Sequence, residues 1–200
     1  MVIAQQTARN IILHLFKDFS ATHTVTSIAK ELGMSRVGVW KTLKSLQLEK
    51  LVILTAIGKG KTSTYTIKLN WDNILVEKSL ALYLTEEAMK QRRWRFNFAE
   101  LENITRFIIL YGSILHSPKE ANDIDLVGVV SDKEDFIKFQ KTTYKAQITQ
   151  IKKIHAIDFT ETGFRQELMK PNRAFIDAVK KGVILFGQEN FIRFIKNIIL

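Results

Sequence analysis

Apolar positions along the chain follow two spacings, helical in the first third and alternating or continuous in short runs thereafter. Ile11, Ile12, Leu15, Phe16 and Phe19 share one helical face over residues 3–19. Thr24 or Thr26 can cap a second helix through Ile28, Ala29 and Leu32, which Gly33 stops. Ser35 caps a third over residues 36–46, with Val39, Leu43 and Leu46 as its apolar stripe. Alternating runs at 51–57 and 62–69, joined through Gly58-Lys59-Gly60-Lys61, predict a β-hairpin. Residues 71–95 read as one linker helix, with the domain boundary inside it.

Short Ile/Val/Leu runs at 107–111 and 126–130 predict buried strands. Residues 133–150 form an amphipathic helix, with Phe136, Ile137, Phe139, Tyr144 and Ile148 as its apolar residues. A third strand is expected at 153–159, and a helix broken near Pro171 at 164–181. A fourth strand at 183–186 and a helix at 191–200 close the chain. The predicted class is α+β in two domains. Residues 1–70 supply three helices and a hairpin, residues 71–100 a helical linker, and residues 101–200 a small mixed sheet flanked by helices.

Composition narrows this further. Two hundred residues with 46% hydrophobic content can build two cores, and the absence of cysteine excludes disulfides and thiolate metal sites. No apolar run approaches a membrane span and the N-terminus lacks a basic leader, so a cytoplasmic protein is expected. The net charge of +10 is concentrated early: residues 1–70 hold ten Lys/Arg against three Asp/Glu, a surplus of seven. That surplus points to a polyanionic partner for the first domain.

The chemistry concentrates in residues 107–130, FIILYGSILHSPKEANDIDLVGVV. Asp123 and Asp125 alternate along a strand, so both carboxylates project from one face. Side by side in an apolar frame they call for cations, and Mg²⁺ takes hard oxygen ligands together with substrate phosphates. Gly112 allows close approach of backbone to phosphate, and Ser113 adds a hydroxyl and an N–H at an expected helix start.

Gly112-Ser113, a nine-residue spacer and Asp123-Ile124-Asp125, each set against its own strand, resemble the signature of the DNA polymerase β-like nucleotidyltransferase superfamily in its minimal (MNT) form. The resemblance covers residues 101–200. It implies transfer of a nucleotide, AMP from ATP by preference, to a hydroxyl acceptor with two Mg²⁺ ions. Asp123, Asp125 and Asp158 would be the catalytic, metal-binding carboxylates, Asp158 standing where the superfamily places its third. His155, three residues earlier, would point to the other face as a structural histidine. Gly112, Ser113, His116 and Lys119 would hold the triphosphate. His116 stands where that family often has a permanently basic residue, and Lys119 is positioned to compensate.

Residues 5–70, centred on SIAKELGMSRVGVWKTLKSLQLEKLVI, resemble the winged helix-turn-helix family. The resemblance implies a recognition helix in the major groove and a wing on the backbone. Arg36, Lys41 and Lys44 would then contact DNA from the helix, and Lys59 and Lys61 from the wing; Trp40 is expected to pack. The basic cluster Lys90–Arg95 reads as a solvated helix face or a further nucleic-acid contact. Expected partners are duplex DNA, a nucleoside triphosphate, a protein acceptor such as the HEPN-type toxins modified by MNT antitoxins, and a second copy of the chain. The alternative is a transcriptional regulator whose C-terminal domain senses nucleotide or is catalytically inactive.

Overall fold

Thr24, rather than Thr26, starts the second helix. Its hydroxyl accepts the backbone N–H of Ser27, and the Ser27 hydroxyl accepts that of Thr24, a reciprocal cap that satisfies two otherwise orphaned donors. Ser35 caps the third helix with a single bond, its hydroxyl accepting the N–H of Gly38. These local bonds belong to a mixed α+β chain with one three-stranded and one four-stranded sheet. The computed structural model describes residues 2–58, 64–170 and 174–200, in two compact units, Met1–Tyr83 and Leu84–Leu200.

The first unit comprises α1 (Val2–Lys17), β1 (His23–Thr24), α2 (Val25–Glu31), α3 (Arg36–Leu48), β2 (Val52–Ile57) and β3 (Thr64–Leu69). Its sheet runs β1-β3-β2, antiparallel throughout. Ile11, Ile12 and Phe16 of α1, Ile28 of α2, Val39 and Leu43 of α3 and Ile67 of β3 are buried together as its core. The helical stripe read from the sequence of α3 is therefore its inward face. The division between units falls within α4 (Ile74–Lys90).

The expected single linker helix is two helices. Beyond α4 the backbone turns at Gln91 (φ −96°, ψ 44°) into α5 (Arg92–Asn97). The turn brings Trp94 and Phe98 into stacked contact, 6.3 Å between ring centres, and both are buried in the second unit's core. Burial of two large aromatics, each worth roughly 1.5–3 kcal/mol, outweighs the interrupted helix.

The second unit continues with β4 (Thr105–Tyr111), β5 (Asp123–Val130), α6 (Lys133–Ile148), β6 (Lys153–Thr160), α7 (Glu161–Met169), α8 (Ala174–Lys181), β7 (Val183–Phe186) and α9 (Gln188–Ile199). Its sheet order is β6-β5-β4-β7, with β5 and β6 parallel and the other pairs antiparallel. The parallel pair needs a crossover, which α6 supplies. One sheet face carries Ile108, Leu110, Ile124 and Leu126 against Trp94, Phe98 and Phe139. The other carries Phe107 and Phe159, whose rings meet Phe164, Phe175, Phe191 and Phe194 of α7, α8 and α9. Gly128 of β5 lies under the Phe139 ring, where an added Cβ would come within 2.3 Å of it. α6 thus seats directly on the strand. Of its apolar residues only Phe139 is buried, and Ile137, Tyr144 and Ile148 are exposed. Among the described residues no helix is long and apolar enough to cross a membrane.

Candidate functional site

At the beginning of β5, Asp123 and Asp125 face the same side of the sheet, as strand alternation requires. β4 brings Tyr111 opposite Asp125, and β6 brings His155 opposite it from the other side. His155 Nδ1 lies 3.2 Å from Asp123 Oδ2 and 3.7 Å from Asp125 Oδ1. Ligand atoms of the three residues lie within 4.8 Å of one another. Gly112, in a left-handed conformation (φ 82°, ψ −167°), runs against Asp125 so closely that a Cβ there would sit 2.3 Å from Oδ2.

The electrostatics follow from this crowding. Burial raises the Asp125 carboxyl above its ordinary range, repulsion from Asp123 adds to that, and His155 works against both. Burial likewise raises the Tyr111 phenol, reinforced by the charges of Asp125 and Asp123. Two carboxylates and an imidazole converging at a partly exposed strand end form a donor set that a divalent cation fits, using Asp123, Asp125 and His155.

Asp158, expected as a third carboxylate, does not join this cluster. Asp158 pairs in register with Gly128, so it shares the face covered by α6, opposite to Asp125. Gln140 of α6 hydrogen-bonds it, and burial raises its carboxyl. Residues 155 and 158 differ by an odd step and must face opposite ways. The parallel register of β5 and β6 gives the acidic face to His155. Asp158 is therefore corrected to a residue of the helix-covered face, and His155, on the face opposite to it as expected, finds its partners in the two carboxylates.

The remaining predicted phosphate contacts lie in the connection between β4 and β5. Ser113 begins a single 3₁₀ turn, Ser113–Leu115, whose carbonyl accepts the N–H groups of His116 (3.0 Å) and Ser117 (2.8 Å). Ser113, His116 and Lys119 are all exposed. The Lys152 ammonium donates to the backbone carbonyls of Lys119 and Ala121, which ties this connection to the start of β6. No sequence motif marked Tyr111 or His155 as neighbours of Asp125; the sheet register sets them on either side of it.

In the first unit, Arg36, Lys41 and Lys44 are exposed on α3. Trp40 packs against Tyr65 of β3, 5.2 Å between ring centres, and the Lys44 ammonium sits 4.7 Å from the Trp40 ring while donating to Gln47. Val25, Arg36, Val37, Trp40, Thr64 and Tyr65 line an open groove of about 430 Å³. Lys41 lies on another side of the helix, lining a hollow of about 520 Å³ with Gln5 and Ala8 of α1. Lys59 and Lys61 lie outside the described residues. The Lys90–Arg95 cluster is partly committed to packing. Arg95 donates to the Leu185 carbonyl and covers the Phe186 ring, and Arg93 lies over Trp94.

A second grouping, His14, Asp18 and His23, brings its ligand atoms equally close. The His23 ring bonds the Asp18 carbonyl (2.9 Å) and stands edge-on to His14, a contact that closes the end of α1 onto β1.

Comparison of the chain with family models, curated proteins and solved structures returns no match.

Proposed function

We propose that the chain is a DNA-binding nucleotidyltransferase: the first unit a winged helix-turn-helix module, the second a minimal nucleotidyltransferase domain that moves a nucleoside monophosphate, AMP by preference, to a hydroxyl acceptor. The observation that carries this reading is the meeting of Gly112 with the Asp123–Asp125 pair. A phosphate-approach glycine and two convergent carboxylates are the parts such a transfer requires. In the reaction an acceptor oxygen bonds the α-phosphorus, the α–β phosphoanhydride breaks, pyrophosphate departs, and the acceptor proton passes to solvent or a carboxylate. A divalent cation bound by Asp123 and Asp125 supplies charge neutralisation for the triphosphate. The chain's own part is to hold the carboxylates: Gly112 limits Asp125 from one side, and Lys152 anchors the loop before Asp123.

The first unit's role is supported by Arg36 and Lys44 flanking the Trp40–Tyr65 pair on an exposed helix face. Phosphate contacts from such residues give sequence-independent, salt-sensitive binding. A second reading, a transcriptional regulator with an inactive nucleotidyltransferase domain, is favoured by one observation: an imidazole, not a third carboxylate, completes the acidic cluster. Incubating the full chain with labelled nucleoside triphosphates, a divalent cation and candidate acceptors separates the two. Transfer that depends on Asp123 and Asp125 supports the enzyme. Duplex binding with no transfer under any divalent cation supports the regulator.

A further inference from the structure

We infer that the outer side of α6 is a docking surface for an acidic amphipathic helix of a protein partner. Ile137, Tyr144 and Ile148 form its apolar seam, and Lys141 and Lys145 select the partner's charge. The inference is independent of the cation site and of nucleotidyl transfer.

α6 is apolar on two opposite sides, and the fold covers only one of them. Phe139 is buried, and Phe136 and Ala146 pack against the same core. Ile137, Lys141, Tyr144 and Ile148 fall within about 60° of one another around the helix, on the side facing away from Phe139. Ile137 is 55% exposed, Tyr144 73% and Ile148 74%, and Ile151, just beyond the helix, is fully exposed. Single apolar side chains in water are ordinary, but a contiguous line of them marks an interaction surface. The steps of four, three and four residues along this line are those of a coiled-coil seam, so another helix is the shape that fits it.

Charge then decides which helix. Lys138, Lys141 and Lys145 lie on one flank of the seam, and the neutral Gln140 and Gln147 on the other. Glu134, the acid on the basic flank, is taken by Lys138 at 2.8 Å, and among the described residues no ion pair reaches Lys141 or Lys145. A partner helix with Glu or Asp along its facing flank pairs with those two cations. An antiparallel second copy of α6 would set the lysine flank against itself, and a parallel one would set Lys141 against its own copy in the seam. Like charges brought together across an interface suppress both arrangements. A helix lying on an anionic membrane carries its cations around the whole polar face, not on a single flank. Because α6 covers the sheet face opposite Asp123 and Asp125, a partner seated on it leaves the acidic cluster open.

The experiment uses the full chain and two fluorescein-labelled synthetic helices of equal length. Both carry the same Ile and Leu seam; one has Glu on its flanks and the other Lys. Fluorescence anisotropy is expected to show binding of the Glu helix, with the Lys helix weaker by about tenfold or more. Tyr144→Ser and Ile148→Ser, both at exposed positions, should each weaken the Glu helix by about tenfold or more. Lys141→Glu combined with Lys145→Glu should reverse the preference. A wild-type chain that binds neither helix, or both alike, overturns the inference, as does a charge-reversed variant that keeps the wild-type preference. Vesicles of phosphatidylcholine and phosphatidylserine, and sedimentation of the chain alone, test the other two occupants. Vesicle binding or self-association that Ile148→Ser abolishes gives the surface to a membrane or to a second copy, and overturns the protein partner. The comparison of the two helices on wild type needs no variant, so a folding defect in any substitution leaves the test intact.

Discussion

A methyl group placed on Gly112 would lie 2.3 Å from Asp125 Oδ2, closer than any real carbon–oxygen contact. The backbone at Gly112 (φ 82°, ψ −167°) is also a conformation that side chains other than hydrogen rarely adopt. Gly112→Ala should therefore displace the carboxylate and strain the turn at once. The expected loss is about 1–3 kcal/mol of unfolding free energy in the second unit, together with weakened divalent-cation binding. Chemical denaturation and a cation titration on the same protein check this; unchanged cation affinity would mean that Gly112 does not position Asp125.

Asp123→Asn and Asp125→Asn each remove one charge from the pair with little change of size. Cation affinity should fall, and with it nucleotidyl transfer by orders of magnitude. Duplex affinity should stay within about twofold, since Arg36, Lys41 and Lys44 belong to the other unit. Transfer rate and duplex affinity are measured on the same preparations. Full transfer by Asp125→Asn would exclude the cation site from the reaction.

Asp158→Asn separates the sequence-based carboxylate triad from the observed cluster. Because Asp158 faces α6, transfer and cation affinity should remain within a few-fold of wild type. Stability should change instead, and in a pH-dependent way. Burial holds the folded-state pKa of Asp158 above its ordinary 3.8. Its favourable contribution is thus complete below pH 3.8 and is lost as pH rises through the raised value. At neutral pH the Asn variant, still able to accept from Gln140, should be the more stable of the two. Below pH 3.8 the difference should vanish. Urea unfolding at both pH values provides the comparison, and a variant less stable at neutral pH contradicts the assignment.

Lys44 is held over the Trp40 ring, 4.7 Å away, and so presents its charge from a fixed position on α3. Lys44→Ala should weaken duplex binding at low salt and reduce the slope of log affinity against log salt by about 0.9, the share of one phosphate contact. Arg36→Ala should do the same. Lys41 lines the hollow beside α1, and Lys41→Ala should change the slope less than either. Fluorescence anisotropy with a labelled duplex across a salt series resolves the three. Equal slopes for wild type and Lys44→Ala would remove α3 from the interface.

The sequence by itself determined the elements whose stability is local. The Ser35 cap, the Val39–Leu43–Leu46 stripe and the strands on either side of Gly112 were legible because capping bonds and burial periodicity act within a few residues. The same alternation showed that residues 155 and 158 face opposite ways. Which of them meets Asp125 was decided only by the tertiary structure. The choice depends on how β6 registers against β5 across the α6 crossover, a one-residue matter that no local preference specifies. The break between α4 and α5 has the same origin, since no glycine or proline marks it and only the packing of Trp94 and Phe98 against the sheet explains it. Long-range burial chose the register and the turn, and through the register placed His155 rather than Asp158 beside the two carboxylates.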